Sequence, residues 1–187
     1  MRKFIIALAS MAMVSSSFGA LGWFQDYIVA NVDGGGDSYY WLGGEADTAG
    51  TVGSEFNGTS FGVVTSLGIG ADLRYWSDNQ DRDGGAIYVS IDGGAATEYI
   101  WTQSGPSGND YQGTLASSTV DVASGAGVGV HTLTVWAKTW GSSQGDQWLT
   151  DGGNNFSATF EIVPEPATMA LFGIGLAGLF VARRRRA

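Results

Sequence analysis

Asn155-Phe156-Ser157-Ala158-Thr159-Phe160-Glu161-Ile162-Val163 alternates strictly: Phe156, Ala158, Phe160 and Ile162 fall on one side, Ser157, Thr159 and Glu161 on the other. Successive side chains of an extended strand point to opposite faces, so this segment reads as a strand with one face on a core and one in water. Working outward from it, similar patterns cover Phe24 to Val32, Ser38 to Leu42, Phe61 to Ser66, Leu67 to Trp76, Ala86 to Asp92, Thr97 to Thr102, Gly113 to Val122 and Val130 to Trp140. Turn-forming residues separate them, and no stretch of residues 20–163 carries a helical period. The expectation is an all-β chain folded as a single β-sandwich, jelly-roll or immunoglobulin-like, over residues 20–163.

One short string recurs. Asp-Gly-Gly stands at Asp33, Asp83, Asp92 and Asp151, each beside a predicted strand end. Asp accepts local backbone hydrogen bonds and Gly takes positive φ, so all four read as turns. Asp83 and Asp92 bracket one strand and therefore belong to opposite ends of the sandwich.

Charge is unevenly distributed. Arg2 and Lys3 open the chain and four Arg nearly close it, whereas residues 21–163 hold 17 Asp and Glu against Arg74, Arg82 and Lys138, a balance of −14. Such a field repels phosphate backbones and anionic lipid, which argues against nucleic acid and leaves neutral glycans, cations or basic proteins as partners. There is no Cys, hence no disulfide framework and no thiolate site. The only histidine, His131, cannot support a multi-histidine metal centre, and it reads as a residue at a strand edge.

The two ends are more specific than the middle. Met1-Arg2-Lys3, the apolar run Phe4 to Val14 and the small residues of Ser15 to Ala20 form a secretory signal over residues 1–19. A signal peptidase would cut after Gly19 or after Gly22. At the other end, Val163-Pro164-Glu165-Pro166-Ala167-Thr168 is followed by an apolar stretch from Met169 to Ala182 and then by Arg183, Arg184, Arg185 and Arg186. The two prolines keep the junction extended, the apolar stretch is short for a full membrane span, and the arginines hold the end on the cytoplasmic side. This tail, residues 164–187, resembles the PEP-CTERM sorting signal of Gram-negative bacteria, with Pro-Glu-Pro, a transmembrane helix and an Arg cluster in that order. The resemblance implies transient membrane anchoring through the C-terminal helix and recognition by an exosortase-type enzyme. It further implies an inner-membrane-anchored intermediate and release to the cell surface or extracellular matrix, in association with exopolysaccharide and biofilm. Gly173 to Gly178 also spells G-x-G-x-x-G, but no strand precedes it and no acidic residue follows, so it is not a nucleotide site.

Three sets of residues in the middle merit a chemical reading. Asn79, Asp81 and Asp83, followed by Gly84, resemble the start of a D-x-D-x-D-G calcium loop, although Ser90 stands where a bidentate Glu should be. Trp136 and Trp140 share a strand face with Lys138, opposite Leu133, Val135 and Ala137; their flat rings, about 13 Å apart along a strand, suit stacking on sugar. Glu45 and Glu98 are the pair a glycosidase would need, but no constellation passes the first tests of an active site, so no catalytic residue is assigned. The leading expectation is a non-enzymatic structural or adhesive protein of the cell surface or polysaccharide matrix. The alternative is a carbohydrate-binding, less readily a carbohydrate-cleaving, β-sandwich module.

Overall fold

The computed structural model describes residues 21–43, 54–78, 80–142, 145–151 and 153–164. The expected signal peptide and the tail from Glu165 onward lie outside the described residues. Among these residues twelve strands form: β1 (Leu21–Trp23), β2 (Tyr27–Val32), β3 (Asp37–Trp41), β4 (Thr59–Val63), β5 (Leu67–Ser77) and β6 (Gly84–Ile91), then β7 (Thr97–Ile100), β8 (Thr102–Ser107), β9 (Asp110–Asp121), β10 (Gly129–Trp140), β11 (Gln147–Leu149) and β12 (Phe156–Ile162). They make two six-stranded sheets. Sheet A has the order β3-β2-β5-β9-β8, with β1 beside β5, and sheet B the order β4-β12-β10-β6-β7, with β11 beside β10. All pairs are antiparallel except β4 with β12.

The alternation that marks β12 in the sequence is what builds the core. Phe156, Ala158 and Phe160 are fully buried, as are Leu133, Val135 and Ala137 of β10 and Ile87 of β6. They face Ile28 and Ala30 of β2 and Leu67, Ile69, Leu73 and Tyr75 of β5 in one apolar cluster. Each large apolar side chain taken out of water there contributes about 1.5–3 kcal/mol, which sets the inward face of every strand and thereby its outward face.

Several expected elements are divided. Thr97 to Thr102 is not one strand: the chain leaves sheet B after Ile100 and joins sheet A at Thr102, with Trp101 at the crossing. The Trp101 N–H donates to the Gly85 carbonyl (3.1 Å) while its indole turns inward, only 4% exposed. A Cβ on Gly85 of sheet B would overlap that indole, and one on Gly113 of sheet A would lie 2.6 Å from its Cε2. The ring therefore occupies a slot floored by a glycine of each sheet. Likewise Phe24 to Val32 is interrupted before Tyr27, because Asp26 turns inward and its Oδ1 accepts the Arg74 N–H (3.1 Å). Burial pushes the Asp26 carboxyl well above the usual carboxylate range.

Two of the Asp-Gly-Gly strings are hairpin turns of type I′. Asp33 and Gly34 have φ of 51° and 72°, Asp92 and Gly93 have 52° and 70°, and Gly35 and Gly94 close the turns onto Val32 and Ile91 (2.8 and 2.9 Å). Asp151 closes a third turn against Asn154. The string at Asp83 is different, since Gly84 and Gly85 lie within β6 and serve as the floor for Trp140 and Trp101. Asp92 does more than turn the chain. Its Oδ1 accepts the Thr132 N–H and its Oδ2 lies 2.8 Å from Nδ1 of His131, whose Nε2 is 2.8 Å from the Gly127 carbonyl. Both ring nitrogens thus meet acceptors, so only the doubly protonated imidazole donates to both. The Asp92 hydrogen bond, aided by Gly127, holds the His131 pKa above its usual 6.5.

Two outcomes follow from this architecture. Gly85→Ala is expected to cost about 1–3 kcal/mol through overpacking, a fall in Tm of roughly 3–10 °C, and Gly85→Ala combined with Trp101→Leu should lose less than the sum of the single losses. Strict additivity would show that the methyl does not meet the indole. The His131 contribution should be fully present below pH 6.5, the usual value that applies in the unfolded chain, and vanish as pH rises through the higher folded value. The Tm difference between wild type and His131→Gln, followed from pH 5.5 to 8.5, should shrink toward zero; a constant difference would mean a neutral ring throughout.

Candidate functional site

β10 carries outward-facing residues at Trp136, Lys138 and Trp140, because Val135, Ala137 and Thr139 between them are buried. The cross-strand register then decides their neighbours. Trp136 lies opposite Tyr88 of β6, which lies opposite Glu98 of β7. Lys138 lies opposite Trp148 of β11 on one side and Ala86 of β6 on the other, and Trp140 opposite Gly84. The Gly84 α-carbon admits the Trp140 ring, since a Cβ there would sit 3.0 Å from it. The outer face of sheet B is therefore an aromatic platform.

Its geometry is well defined. Tyr88 and Trp136 stack at 5.5 Å with their planes 9° apart, and Trp148, 45% exposed, leans on Tyr88 at 5.7 Å. The Lys138 Nζ stands among three rings, 5.8 Å from Tyr88, 5.5 Å from Trp140 and 5.2 Å from Trp148, within the range at which a ring quadrupole attracts a cation. It donates to Asp146 Oδ2 (3.2 Å), and the Tyr88 hydroxyl donates to Glu98 Oε1 (2.7 Å). Partial desolvation works against the Lys138 charge, yet Asp146 and Tyr88 outweigh it and hold the ammonium pKa above its ordinary value. Flat apolar faces thus sit beside an ammonium and two carboxylates. Such a combination has the chemistry to stack on an apolar ring face and to exchange hydrogen bonds with hydroxyl groups.

Trp136 and Trp140 occupy the face that strand period assigns them, both half-buried. The sequence pattern does not group Tyr88 and Trp148, the two rings that complete the platform, with Trp136 and Trp140. The alternation of Tyr88 with buried Ile87 and Val89 marks it as outward, but only the register with β10 places it under Trp136. Trp148 lies on β11, a three-residue strand too short to leave a period. Glu98 belongs to the platform as an acceptor for Tyr88; Glu45, its suggested catalytic partner, lies outside the described residues.

The suggested calcium loop is described only in part. Asn79 lies outside the described residues, and Asp81 Oδ1 accepts both the N–H and the hydroxyl of Ser142 (3.1 and 2.8 Å). Arg82, between the two aspartates, is buried, and its Nη1 donates to the Gly145 carbonyl (3.1 Å). Asp83 is held by its N–H to the Trp140 carbonyl (2.9 Å). Asp81 and Arg82 thereby fasten residues 80–83 to the segment after β10. Among the described residues no three His, Asp or Glu side chains are grouped to hold a metal ion.

At the other boundary of the domain, β12 ends at Ile162, with Val163 and Pro164 exposed beyond it. Residues 163–186 match the PEP-CTERM protein-sorting motif. The chain carries a PEP-CTERM sorting signal. This motif implies export, a membrane-anchored sorting intermediate and processing by an exosortase-type enzyme. Of the PEP-CTERM residues Pro164, Glu165, Pro166 and Arg183 to Arg186, only Pro164 is among those described. The motif follows the last strand without a linker. No curated protein matches the chain.

The platform and the core should separate by fluorescence. Replacing Trp136 and Trp148 with Ala is expected to remove a readily acrylamide-quenched share of the tryptophan emission while lowering Tm by only a few degrees. Trp101→Ala, which empties a core slot, should cost about 3–5 kcal/mol. Cooperative unfolding of the Trp136/Trp148 variant at a Tm as low as that of Trp101→Ala would place these rings in the core.

Proposed function

We propose that this protein is a non-enzymatic component of the cell surface or extracellular polysaccharide matrix that holds glycan on the outer face of sheet B. The PEP-CTERM signal supplies the export half of this reading. The observation that carries the glycan half is the stacked Tyr88–Trp136 pair with Trp148 and Lys138 on a solvent-facing sheet. The core has its own rings in Trp23, Trp101, Tyr75 and Tyr111, all buried, whereas a contiguous aromatic patch on the surface is the kind of feature that marks a contact site. Four more rings on the outside, three of them around an ammonium, cost solubility unless something covers them. The acidic balance of residues 21–163 disfavours acidic polysaccharide and favours a neutral one.

Fractionation of the producing strain tests both halves together. Wild type should be retained in the washed matrix, and Trp136→Ala/Trp148→Ala should be exported and processed normally but shed into the medium. Its affinity for the strain's purified exopolysaccharide should fall about tenfold or more, the equivalent of roughly 1.4 kcal/mol, with no reducing ends released by either protein. Neutral replacement of Arg183 to Arg186 serves as the sorting control and should leave the protein in the membrane fraction. Undiminished matrix retention of the platform variant would overturn the glycan reading.

A further inference from the structure

The opposite surface of the sandwich, the outer face of sheet A, carries a second arrangement of the same chemistry. Register places Trp41, Tyr27, Asp72, Thr114 and Thr102 side by side in one row across five of the six strands of the sheet. At about 4.8 Å per strand the row is about 19 Å long. Its first third is aromatic. Tyr27 meets Trp41 at 5.2 Å and Tyr39 at 6.2 Å, both edge-on, and Tyr39 is 57% exposed. The row then turns polar, with Gln112 Nε2 donating to Asp72 Oδ1 (2.7 Å). Beside this polar end lies a recess of about 350 Å³ whose lining includes Arg74, Ser104, Asp110 and Gln112. That is the size range of small-ligand sites, and these side chains offer both donors and acceptors.

None of these groups belongs to the core. The inward residues of the same strands, Ile28, Ala71, Leu73 and Tyr111, are buried, so Tyr27, Trp41, Asp72 and Gln112 are on the outer side. We propose that this row is a second contact surface for neutral polysaccharide, with the sugar stacked on the Tyr27–Tyr39–Trp41 rings and its hydroxyls bonded to Asp72, Gln112 and the recess. This deepens the reading of sheet B and rests on it for the class of ligand. The consequence is divalence. Two surfaces on opposite outer faces of one rigid sandwich cannot engage the same short stretch of glycan, so each domain bridges two chains, and the gain is in cross-linking and avidity.

The test uses the protein exported by its host, mixed with the exopolysaccharide purified from the same strain, with affinity electrophoresis for binding and light scattering for cross-linking. Wild type should bind and produce scattering that rises and then falls as protein is added in excess. Tyr39→Ser/Trp41→Ser and, independently, Arg74→Ala/Gln112→Ala should each keep retardation within about threefold of wild type while scattering falls at least tenfold. The sheet B variant Trp136→Ala/Trp148→Ala, about tenfold or more weaker in affinity, should keep a residual retardation through sheet A while its scattering also falls at least tenfold, and a protein altered on both faces should not bind. If the sheet B variant alone abolishes all binding, or if both sheet A variants cross-link like wild type, the second surface is overturned and the sheet B reading stands. If the sheet B variant binds and cross-links like wild type, divalence and the sheet B reading fall together. Absence of binding by wild type overturns both surfaces at once.

Discussion

The two sheets are joined through Trp101. Facing sheets pack about 10 Å apart, and here an indole fills that gap where Gly85 of one sheet and Gly113 of the other supply no side chain. The same residue is one of the points at which the chain passes between the sheets, here from β7 to β8. Trp23 meets it edge-on at 6.3 Å, Tyr75 is tilted against it at 6.0 Å, and Tyr111 stacks on Tyr75 at 5.6 Å. A chain without cysteine has no disulfide to hold two sheets in register, and this aromatic stack takes that place at one end of the core.

The outer faces follow from the inner ones. Once Leu133, Val135 and Ala137 are committed inward, Trp136, Lys138 and Trp140 have no choice but solvent, and a slip of one residue would exchange the two sets. The platform is therefore as rigid as the core beneath it. Gly84 and Gly85 show the economy of this: adjacent residues in β6 face opposite sides, one lying against Trp140 outside and the other against Trp101 inside. A rigid, flat and partly apolar surface suits a polymer of repeating rings, because little side-chain entropy remains to be lost on contact.

Charge and tethering complete the picture. The exposed carboxylate of Asp33 is engaged with the Ser66 and Thr65 N–H groups, and that of Asp92 with the His131 ring and the Thr132 N–H, which lowers the pKa of both and keeps them charged at mildly acid pH. The domain thus stays acidic outside the cytoplasm, where the PEP-CTERM motif implies it is sent. The motif starts directly after β12, at the end of the sandwich where β4 finishes and β10 begins.

Periodicity and composition by themselves determined the all-β class, the approximate place of nine strands, the inward and outward faces of β10 and β12, the acidity and the sorting tail. Each of these depends on residues close together in the chain. Hairpin turns at Asp33 and Asp92 were equally legible, because an Asp-Gly pair acts on its own backbone. What only the tertiary structure decided is every feature set by pairing between distant segments. Asp83-Gly84-Gly85 looks like a turn and is a strand floor, because Trp101 and Trp140 arrive from elsewhere to lie on it. Asp26 reads as a polar strand residue and is buried, because β5 offers it the Arg74 N–H. Tyr88 and Trp148 join Trp136 through cross-strand register, and Trp41, Tyr27 and Asp72 form their row in the same way. A strand's alternation fixes which side each residue faces, whereas its neighbours on that side depend on which strands pair and in what register, and that is settled by burial of the whole core at once.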